Sequence, residues 1–390
     1  MNGDPTSHIY IHIINVPSFE IEIGEIDVIR LDYNSTISTT LQILVEDRTG
    51  DTMRPTYLLT LLSVLSSFIG VEAIPTRDNQ LVLAEEETPR PLVIWHGLGD
   101  TALSSGISSF IEDIKSIHPG IFVHSIQIPL DGSLDDERRA GFWGNAEEQG
   151  WAGCEQIETI PELKGGFDGM GFSQGGLFMR FYAQYCNNPP LKNLITFGTP
   201  HFGISALIPC PTPPTLSCIL AARAARSGIY TSYAQSHIVQ AAYFRDTERL
   251  DEFWKINKFI RDLNGEKGLG EDQDHDDDDD DDDDDTKQKG RNGSGNGVDK
   301  LDNFIAVMFD QDRTVSPAQS SHFSTYSPSN KSEIIPMNEQ PMYLGDWIGL
   351  RSLDEKRGLV LEHCQGEHMD LGGKGGCGEK MVKDWVGWRG

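Results

Sequence analysis

A serine with glycine two positions to either side, Gly171-Phe172-Ser173-Gln174-Gly175, constrains the fold of this chain more than any other stretch. It ends an apolar run, Phe167–Phe172, and begins an apolar helical pattern, Gln174–Tyr185. A strand that turns at once into a helix needs these glycines, because larger side chains would clash with the neighbouring strand and helix. The pattern therefore predicts a sharp turn that exposes the Ser173 side chain. The simpler interpretation is a glycine-rich loop with an incidental serine, and only partner residues can decide between the two.

Apolar runs typical of strands buried on both faces of a parallel sheet recur over residues 89–390. The runs are Pro91–Trp95, Ile121–Ile128, Phe167–Phe172, Leu191–Phe197, Asn303–Phe309 and Gly358–Glu362. Helical patterns separate them, and this alternation predicts an α/β fold with a mostly parallel, doubly wound sheet. The alternation breaks at 204–264, where apolar residues at helical spacing predict a helical insertion before the strand at 303–309.

A run of ten aspartates at 276–285 contributes much of the net charge of −28. We predict a disordered loop at 265–297, because like charges repel and cannot bury a core. The pattern of an EF-hand calcium loop is absent, so no metal is predicted. The stretch from Glu271 to Asp285 holds thirteen acidic residues, which leaves an excess of 15 negative charges on the rest of the chain. That excess argues against nucleic acid as a partner, since phosphate binding needs a basic surface.

The first 73 residues suggest an extension followed by a targeting signal. Residues 1–52 carry no chemical motif, although Ile9–Ile13 and Ile21–Ile23 alternate like short strands. Residues 53–73 combine a basic residue, an apolar run of about fifteen residues and small residues at the usual cleavage positions, as in a secretory signal peptide. We interpret Met53 as the true start, with a short buried helix or a signal anchor as the alternative. The run is short for a membrane span, which takes about twenty residues, so we predict none in the mature protein.

Six cysteines form an even set without metal-type spacing: Cys154, Cys186, Cys210, Cys218, Cys364 and Cys377. Behind a signal peptide they would enter an oxidising compartment, where disulfides form. Six cysteines allow fifteen pairings, so the residues alone leave the pairing open. Two sequons, at Asn292 and Asn330, would then become glycosylation sites. The predicted location is the secretory pathway, ending in a lysosome, a vacuole or the medium.

Acidic and histidine residues follow two later strands in the order that serine catalysis requires. A serine nucleophile needs a base to take its proton and a carboxylate to orient that base. Asp310 and Asp312 follow the strand at 303–309, and His363 and His368 follow the last strand. Asp310 and His363 adjoin their strands, whereas Asp312 and His368 lie in a turn and a loop that can approach the serine. Position favours Asp312 and His368, but the residues alone leave both choices open.

Two backbone N–H groups are expected to stabilise the oxyanion of the reaction. One belongs to the residue after the nucleophile, Gln174, and the other to the loop after an early strand, where Leu98 in His96–Asp100 is the candidate. The same loop mimics a dinucleotide-binding fingerprint at 97–102. That interpretation fails because the strand Ile121–Ile128 is followed by Pro129 and has no acidic residue at its end to hold a ribose. We therefore predict no cofactor.

Four motifs of this chain occur together in one known family. They are the strand and loop at 91–100, Met-Gly-Phe-Ser-Gln-Gly-Gly at 170–176, the turn at 312–317 and Gly-Glu-His-Met at 366–369. Together they resemble the palmitoyl-protein thioesterase family, from about Pro89 to the C-terminus and apart from the acidic loop. The resemblance implies an α/β-hydrolase fold and a lysosomal enzyme that removes fatty acyl groups from protein cysteines during protein turnover.

The resemblance also implies a role for each matched residue. Ser173 resembles the nucleophile of the family, Asp312 its acid and His368 its base, while Leu98 and Gln174 match its oxyanion positions. Two disulfides are implied as well, namely Cys154 with Cys186 and Cys210 with Cys218. The third pair, Cys364 with Cys377, follows only by elimination.

The predicted function is therefore the hydrolysis of palmitoyl thioesters on S-acylated proteins, through a Ser-Asp-His triad and an acyl-enzyme. A thioesterase for acyl-CoA and an oxygen-ester lipase are the alternatives among hydrolases. A non-catalytic lipid-binding module is the alternative outside them, and the complete set of Ser173, Asp312 and His368 argues against it. The groove for the acyl chain is predicted in the helical insertion, around residues 219–260.

Overall fold

The computed structural model describes residues 88–206, 226–267, 269 and 297–387, together with four short strands near the N-terminus. Those strands are β1 (Ile9–Ile11), β2 (Glu20–Ile23), β3 (Ile26–Asp32) and β4 (Leu41–Val45). They form an antiparallel sheet in the order β1-β4-β3-β2, within a unit that ends at Leu83. The predicted signal peptide, residues 53–73, lies outside the described residues.

The second unit, Ala84–Gly390, is built on a parallel sheet. Its strands are β5 (Leu92–Trp95), β6 (Val123–Ser125), β7 (Phe167–Phe172), β8 (Leu191–Phe197), β9 (Asn303–Phe309), β10 (Thr325–Tyr326), β11 (Ile334–Ile335) and β12 (Leu359–Cys364). Six of them pair in parallel in the order β12-β9-β8-β7-β5-β6, while β10 and β11 form a small antiparallel pair. Each strand of the large sheet lies at a predicted apolar run, and the predicted α/β-hydrolase fold is confirmed.

Helices pack on both faces of this sheet. They are α1 (Ser105–Ile117), α2 (Leu134–Phe142), α3 (Ala146–Glu158), α4 (Gln174–Phe181), α5 (Ser232–His237), α6 (Leu250–Ile256), α7 (Phe259–Leu263), α8 (Pro341–Leu344), α9 (Leu350–Glu355) and α10 (Cys377–Trp385). Val93 and Trp95 belong to the apolar core that contains α4, whereas Leu92 and Ile94 belong to the core that contains Ile107 of α1. Because consecutive side chains enter opposite cores, every position of β5 must be apolar.

The helix after Ser173 differs from its predicted extent, 174–185. α4 ends at Phe181, and the chain continues as a π-helix, Tyr182–Cys186. The π-helix ends at Asn187, whose backbone is left-handed (φ 48°). Cys186, in its last turn, forms a disulfide with Cys154 of α3.

The described part of the predicted insertion, residues 204–206 and 226–264, consists of short helical segments. They are α5, α6, α7 and the 3-10 segment Val239–Tyr243. Phe259 of α7 contacts Phe178 and Phe181 of α4, with ring centroids 5.7 and 5.9 Å apart. The insertion thus packs directly on the helix that follows Ser173. Within the described ranges no helix is long and apolar enough to cross a membrane.

The order of the strands places a crevice beside Ser173. β5 pairs with β6 on one side and with β7 on the other, so the chain reverses direction across the sheet after β6. Ligands of doubly wound sheets bind at such a reversal, outside the carboxyl ends of the strands. The loop after β5 and the turn at Ser173 both open into this crevice.

A buried carboxylate holds both ends of the second unit. Asp168 in β7 is 0% exposed and accepts hydrogen bonds from the Arg90 guanidinium (2.8 Å) and from the backbone N–H groups of Gly387 (2.8 Å) and Asn193 (3.2 Å). Burial raises the pKa of Asp168 to about 6, against the opposing effect of Arg90. Folding therefore favours the protonated form of this group.

We predict that Asp168→Asn flattens the dependence of Tm on pH. A pKa raised from 3.8 to about 6 adds stability that is complete below pH 3.8 and disappears as the pH rises through 6. The full effect is about 3 kcal/mol. Thermal unfolding of both proteins from pH 3.5 to 7.5 should show the Tm advantage of the wild type shrinking as the pH rises. Asp113→Asn, an exposed carboxylate of α1, is the control. A Tm difference independent of pH would contradict the assignment.

Candidate active site

Ser173 lies in a strained turn between β7 and α4. Its backbone has φ 51° and ψ −122°, a conformation that costs a non-glycine residue about 1–3 kcal/mol. Two hydrogen bonds fix it: the Ser173 N–H donates to the Phe197 carbonyl (2.7 Å), and the Thr199 hydroxyl donates to the Ser173 carbonyl (2.9 Å). The surrounding sheet thus holds the serine in a conformation that the chain alone would not choose.

The flanking glycines are required by close backbone contacts. A Cβ on Gly171 would collide with the Cα of Gly176, and a Cβ on Gly175 would collide with the Trp95 carbonyl. The sequence predicted these clashes: a side chain at 171 would meet the helix α4, and a side chain at 175 would meet the neighbouring strand β5. The interpretation as an incidental glycine-rich loop is therefore wrong.

A chain of hydrogen bonds joins three predicted residues. His368 Nε2 lies 3.0 Å from Ser173 Oγ, and His368 Nδ1 lies 2.6 Å from Asp312 Oδ2. Because an ionised carboxylate can only accept, Nδ1 carries the proton and Nε2 is free to accept from the serine hydroxyl. The Asp312 side chain is 0% exposed, and its second oxygen accepts from the N–H groups of Thr314 (2.8 Å) and Val315 (2.9 Å). Asp312 is thereby fixed on both oxygens.

The other two candidates, Asp310 and His363, form a separate pair. Asp310 Oδ1 lies 2.9 Å from His363 Nδ1, and both side chains are about half exposed, at 46% and 54%. They sit at the ends of the adjacent strands β9 and β12. The structure therefore brings Asp312 and His368, and not this pair, to Ser173.

The loop that carries His368 is closed by a disulfide. Cys364, at the end of β12, bonds to Cys377, at the start of α10, 13 residues later. The histidine also depends on glycine opposite: a Cβ on Gly198, whose φ is +55°, would lie 3.0 Å from the His368 ring. Packing and a covalent link thus limit where the imidazole can move.

The two predicted oxyanion donors flank Ser173. Leu98 lines the same cavity as Ser173, and a Cβ on the preceding Gly97 would lie 3.4 Å from the Ser173 Cβ. Gln174 is the first residue of α4, where the helix presents unpaired N–H groups and a partial positive charge. Among the residues that the structure describes, neither backbone N–H has a hydrogen-bond acceptor. Both remain available to a developing negative charge.

A cavity of about 480 Å³ opens beside Ser173. Its apolar lining consists of Leu98, Ile107, Phe110, Phe172, Pro200, Ile204, Ala206, Val315, Met369 and Leu371. Of the predicted insertion, only Ile204, Ala206, Gln240 and Tyr243 contribute to it, within the described part. The cavity therefore lies between the insertion and α1, whereas the prediction placed it within the insertion.

The remaining predicted sites are spread over the chain. Asn330 is exposed in a turn after β10. Asn292, Cys210 and Cys218 lie outside the described residues. In the described ranges no group of three or more His, Cys, Asp or Glu side chains is placed to hold a metal ion.

A buried cation of α4 bonds to two later segments of the chain. Arg180 of α4 is 0% exposed and donates to the His201 carbonyl (3.2 Å) and to the Asn264 amide oxygen (2.9 Å). Burial lowers the pKa of Arg180 to about 9 and lowers that of His201 well below 6.5. His201 therefore stays neutral beside this cation, and Arg180 links α4 to the end of the insertion.

Sequence reasoning missed the side-chain contacts of Gln174. Its amide bonds to the Gly141 carbonyl and the Tyr243 hydroxyl, which are 33 and 69 residues away along the chain. Neither residue belongs to a motif, and such distant pairs leave no local pattern.

We predict that Asp312→Asn and His368→Ala lower kcat for acyl-thioester hydrolysis by about 10⁴-fold, because each removes a member of the hydrogen-bonded chain. Asp310→Asn and His363→Ala are matched controls, since they break the exposed pair without touching Ser173. Their kcat should stay at the wild-type value. A large loss of kcat in either control, with Asp312→Asn active, would reverse the assignment.

We predict that removing the Cys364–Cys377 disulfide by a double alanine substitution lowers both stability and kcat. Opening a loop of this size costs about 3 kcal/mol in the chain-entropy description, and a freer loop misplaces His368. Differential scanning fluorimetry and steady-state kinetics measure the two effects. Removing Cys154–Cys186, which packs in the opposite core, should lower Tm alone. Equal kcat in the two variants would contradict a role in holding the histidine.

Comparisons with known proteins show the family to which this chain belongs. The profile of a family described as palmitoyl protein thioesterase matches residues 91–368. Palmitoyl-protein thioesterase 1 of Caenorhabditis elegans is 32% identical over 282 residues, which is 72% of this chain and 87% of that protein. Palmitoyl-protein thioesterase 3 of Dictyostelium discoideum is 27% identical over 311 residues, which is 79% of this chain and 93% of that protein. The lysosomal thioesterase PPT2 homolog of Drosophila melanogaster is 24% identical over 280 residues, which is 70% of this chain and 83% of that protein.

The matched region contains the strand and loop at 91–100, the turn at Ser173 and the loops of Asp312 and His368. The family predicted from these motifs is confirmed. The chain belongs to the palmitoyl protein thioesterase family and is a thioester hydrolase.

Proposed function

We propose that this protein removes long-chain fatty acyl groups from cysteine residues of S-acylated proteins, with Ser173 as nucleophile. The observation that carries the proposal is the hydrogen-bonded chain from Asp312 through His368 to Ser173, at the edge of an apolar cavity. Membership of the family supports the substrate class.

In the first half of the reaction, the serine oxygen attacks the thioester carbonyl. His368 Nε2 accepts the hydroxyl proton at 3.0 Å, and the imidazolium that forms is stabilised by the carboxylate of Asp312. The carbonyl oxygen becomes an oxyanion, to which Leu98 and Gln174 donate their backbone N–H groups. Preorganised donors of this kind need no rearrangement as the charge develops.

Collapse of this intermediate breaks the carbon–sulfur bond, transfers the His368 proton to the leaving cysteine sulfur and leaves an acyl group on Ser173. The leaving thiol has a pKa of about 8.5, so protonating it is less demanding than protonating an amine or an alkoxide. Water, deprotonated by His368, then attacks the acyl-enzyme; His368 returns this proton to Ser173 Oγ as the ester bond breaks and the fatty acid is released. Every proton transfer passes through the one imidazole, which is why its loop must be held in place.

The acyl chain binds in the cavity between α1 and the insertion. The volume of about 480 Å³ is in the range of small-molecule sites, about 300–1,000 Å³. Each methylene removed from water contributes about 0.8 kcal/mol. A long saturated chain therefore provides most of the binding energy, and its first carbons are held beside Ser173.

A lumenal location accords with the two disulfides in the described residues, since disulfides persist in oxidising compartments. The relative from Drosophila melanogaster is described as lysosomal. We therefore propose the secretory pathway and a lysosome-like destination, with the signal peptide at 53–73 and glycosylation at Asn292 and Asn330.

The test compares three substrates: a palmitoylated cysteine peptide, palmitoyl-CoA and p-nitrophenyl palmitate. The wild type is compared with Ser173→Ala and with Ser108→Ala, an exposed serine of α1, as the matched control. We expect the highest kcat/KM on the peptide thioester and no turnover by Ser173→Ala. Preference for palmitoyl-CoA would indicate an acyl-CoA thioesterase, and preference for the oxygen ester would indicate a lipase. Unchanged turnover by Ser173→Ala would refute the mechanism.

A further inference from the structure

A buried hydrogen-bond network joins the helical insertion to the residue after the nucleophile. The Gln174 side chain is 4% exposed; its Oε1 accepts from the Tyr243 hydroxyl (2.9 Å) and its Nε2 donates to the Gly141 carbonyl (3.1 Å). The Gln240 amide donates to the same carbonyl (3.1 Å). Since a carbonyl only accepts, Gly141 fixes which end of the Gln174 amide faces it. The oxygen is left for the Tyr243 hydroxyl, the shorter contact, and for the Gln240 amide at 3.5 Å. Burial raises the pKa of Tyr243 above its usual value, so the hydroxyl keeps its proton.

Gly141 in turn touches the loop that carries the second oxyanion donor. A Cβ on Gly141 would lie 3.3 Å from the Gly99 nitrogen and 3.9 Å from the Leu98 Cα. The Gln174 side chain thus connects its own backbone, through Gly141, to the backbone around Leu98. The network thus bonds to one proposed oxyanion donor residue and packs on the loop of the other, and Tyr243 and Gln240 are its contacts with the insertion.

We propose that Tyr243 is a positioning residue for the oxyanion hole. Its hydroxyl holds the Gln174 amide on Gly141 and so sets the separation of the Gln174 and Leu98 N–H groups. This inference rests on the proposed function, because it assumes that these two groups bind the oxyanion. Such donors act only when they lie about 2.7–3.1 Å from the oxyanion. A small change in their spacing therefore weakens the stabilisation of the transition state and leaves the affinity for the substrate unchanged.

The test is Tyr243→Phe, which removes the hydroxyl and keeps the ring. We expect kcat to fall about tenfold, the effect of one misplaced hydrogen bond, while KM stays unchanged. Tyr230→Phe is the matched control, because Tyr230 is another buried tyrosine of the insertion and its hydroxyl bonds to Phe244 and Asp246, away from Gln174. Both variants should lose some thermal stability, and only Tyr243→Phe should lose kcat.

A transition-state analogue separates positioning from packing. Affinity for a palmityl trifluoromethyl ketone should fall in parallel with kcat in Tyr243→Phe, while affinity for palmitate stays constant. Gln174→Met keeps the backbone N–H and removes the amide, so combining it with Tyr243→Phe should add no further loss. A wild-type kcat in Tyr243→Phe, a rise in KM alone, or additive losses in the double variant would overturn the proposal.

Failure of the proposed function gives a different result. If the wild type cleaves no acyl thioester but cleaves p-nitrophenyl butyrate, the substrate class is wrong. The ester then still reports on the oxyanion hole, and the comparison of Tyr243→Phe with Tyr230→Phe decides the role of Tyr243. If thioesters are cleaved and the two variants behave alike, only the role of Tyr243 is wrong.

Discussion

The close contact of backbones at the turn after β7 governs this structure. Ser173 adopts a positive φ because the chain must leave the sheet and enter α4 within one residue. Only glycine fits at 171 and 175, because the neighbouring strand and helix fill the space of a side chain. Once that turn forms, the serine side chain projects at the carboxyl edge of the sheet and its partners need only reach that edge. Loops from three other strands do so, after β5, β9 and β12.

Much of this arrangement could be predicted from the sequence because its signals are local. Strands buried on both faces have continuous apolar sequences, and β7, β8 and β9 begin and end at the predicted residues. The choice of Asp312 over Asp310 depended on the distance of each residue from its strand. Asp310 immediately follows β9 and bonds to His363 at the surface, whereas two more residues let the chain turn back into the crevice. The same reasoning separates His368 from His363.

The rest could not be predicted because it depends on contacts between distant segments. The acyl cavity was expected within the insertion, yet about a third of its lining residues belong to α1 and the loop before it, which the apolar spacing of the insertion could not reveal. The network of Gln174, Gly141 and Tyr243 has no motif, since a single glutamine amide can bond to almost any neighbour. The π-helix after Phe181 is another case, because the apolar spacing of 174–185 fits an α-helix throughout.

The Cys364–Cys377 link has a further consequence for the resistance of the His368 loop to proteases. Residues 365–376 form a covalent ring with the disulfide, and most of them are at least partly exposed on the surface. A single cut by a protease inside this ring would not release either end. His368 would remain attached to the body of the protein on both sides of the break, through β12 and through α10. A nicked molecule could then keep its imidazole near the serine, and the working lifetime of the enzyme would be set by the disulfide and not by the first cleavage.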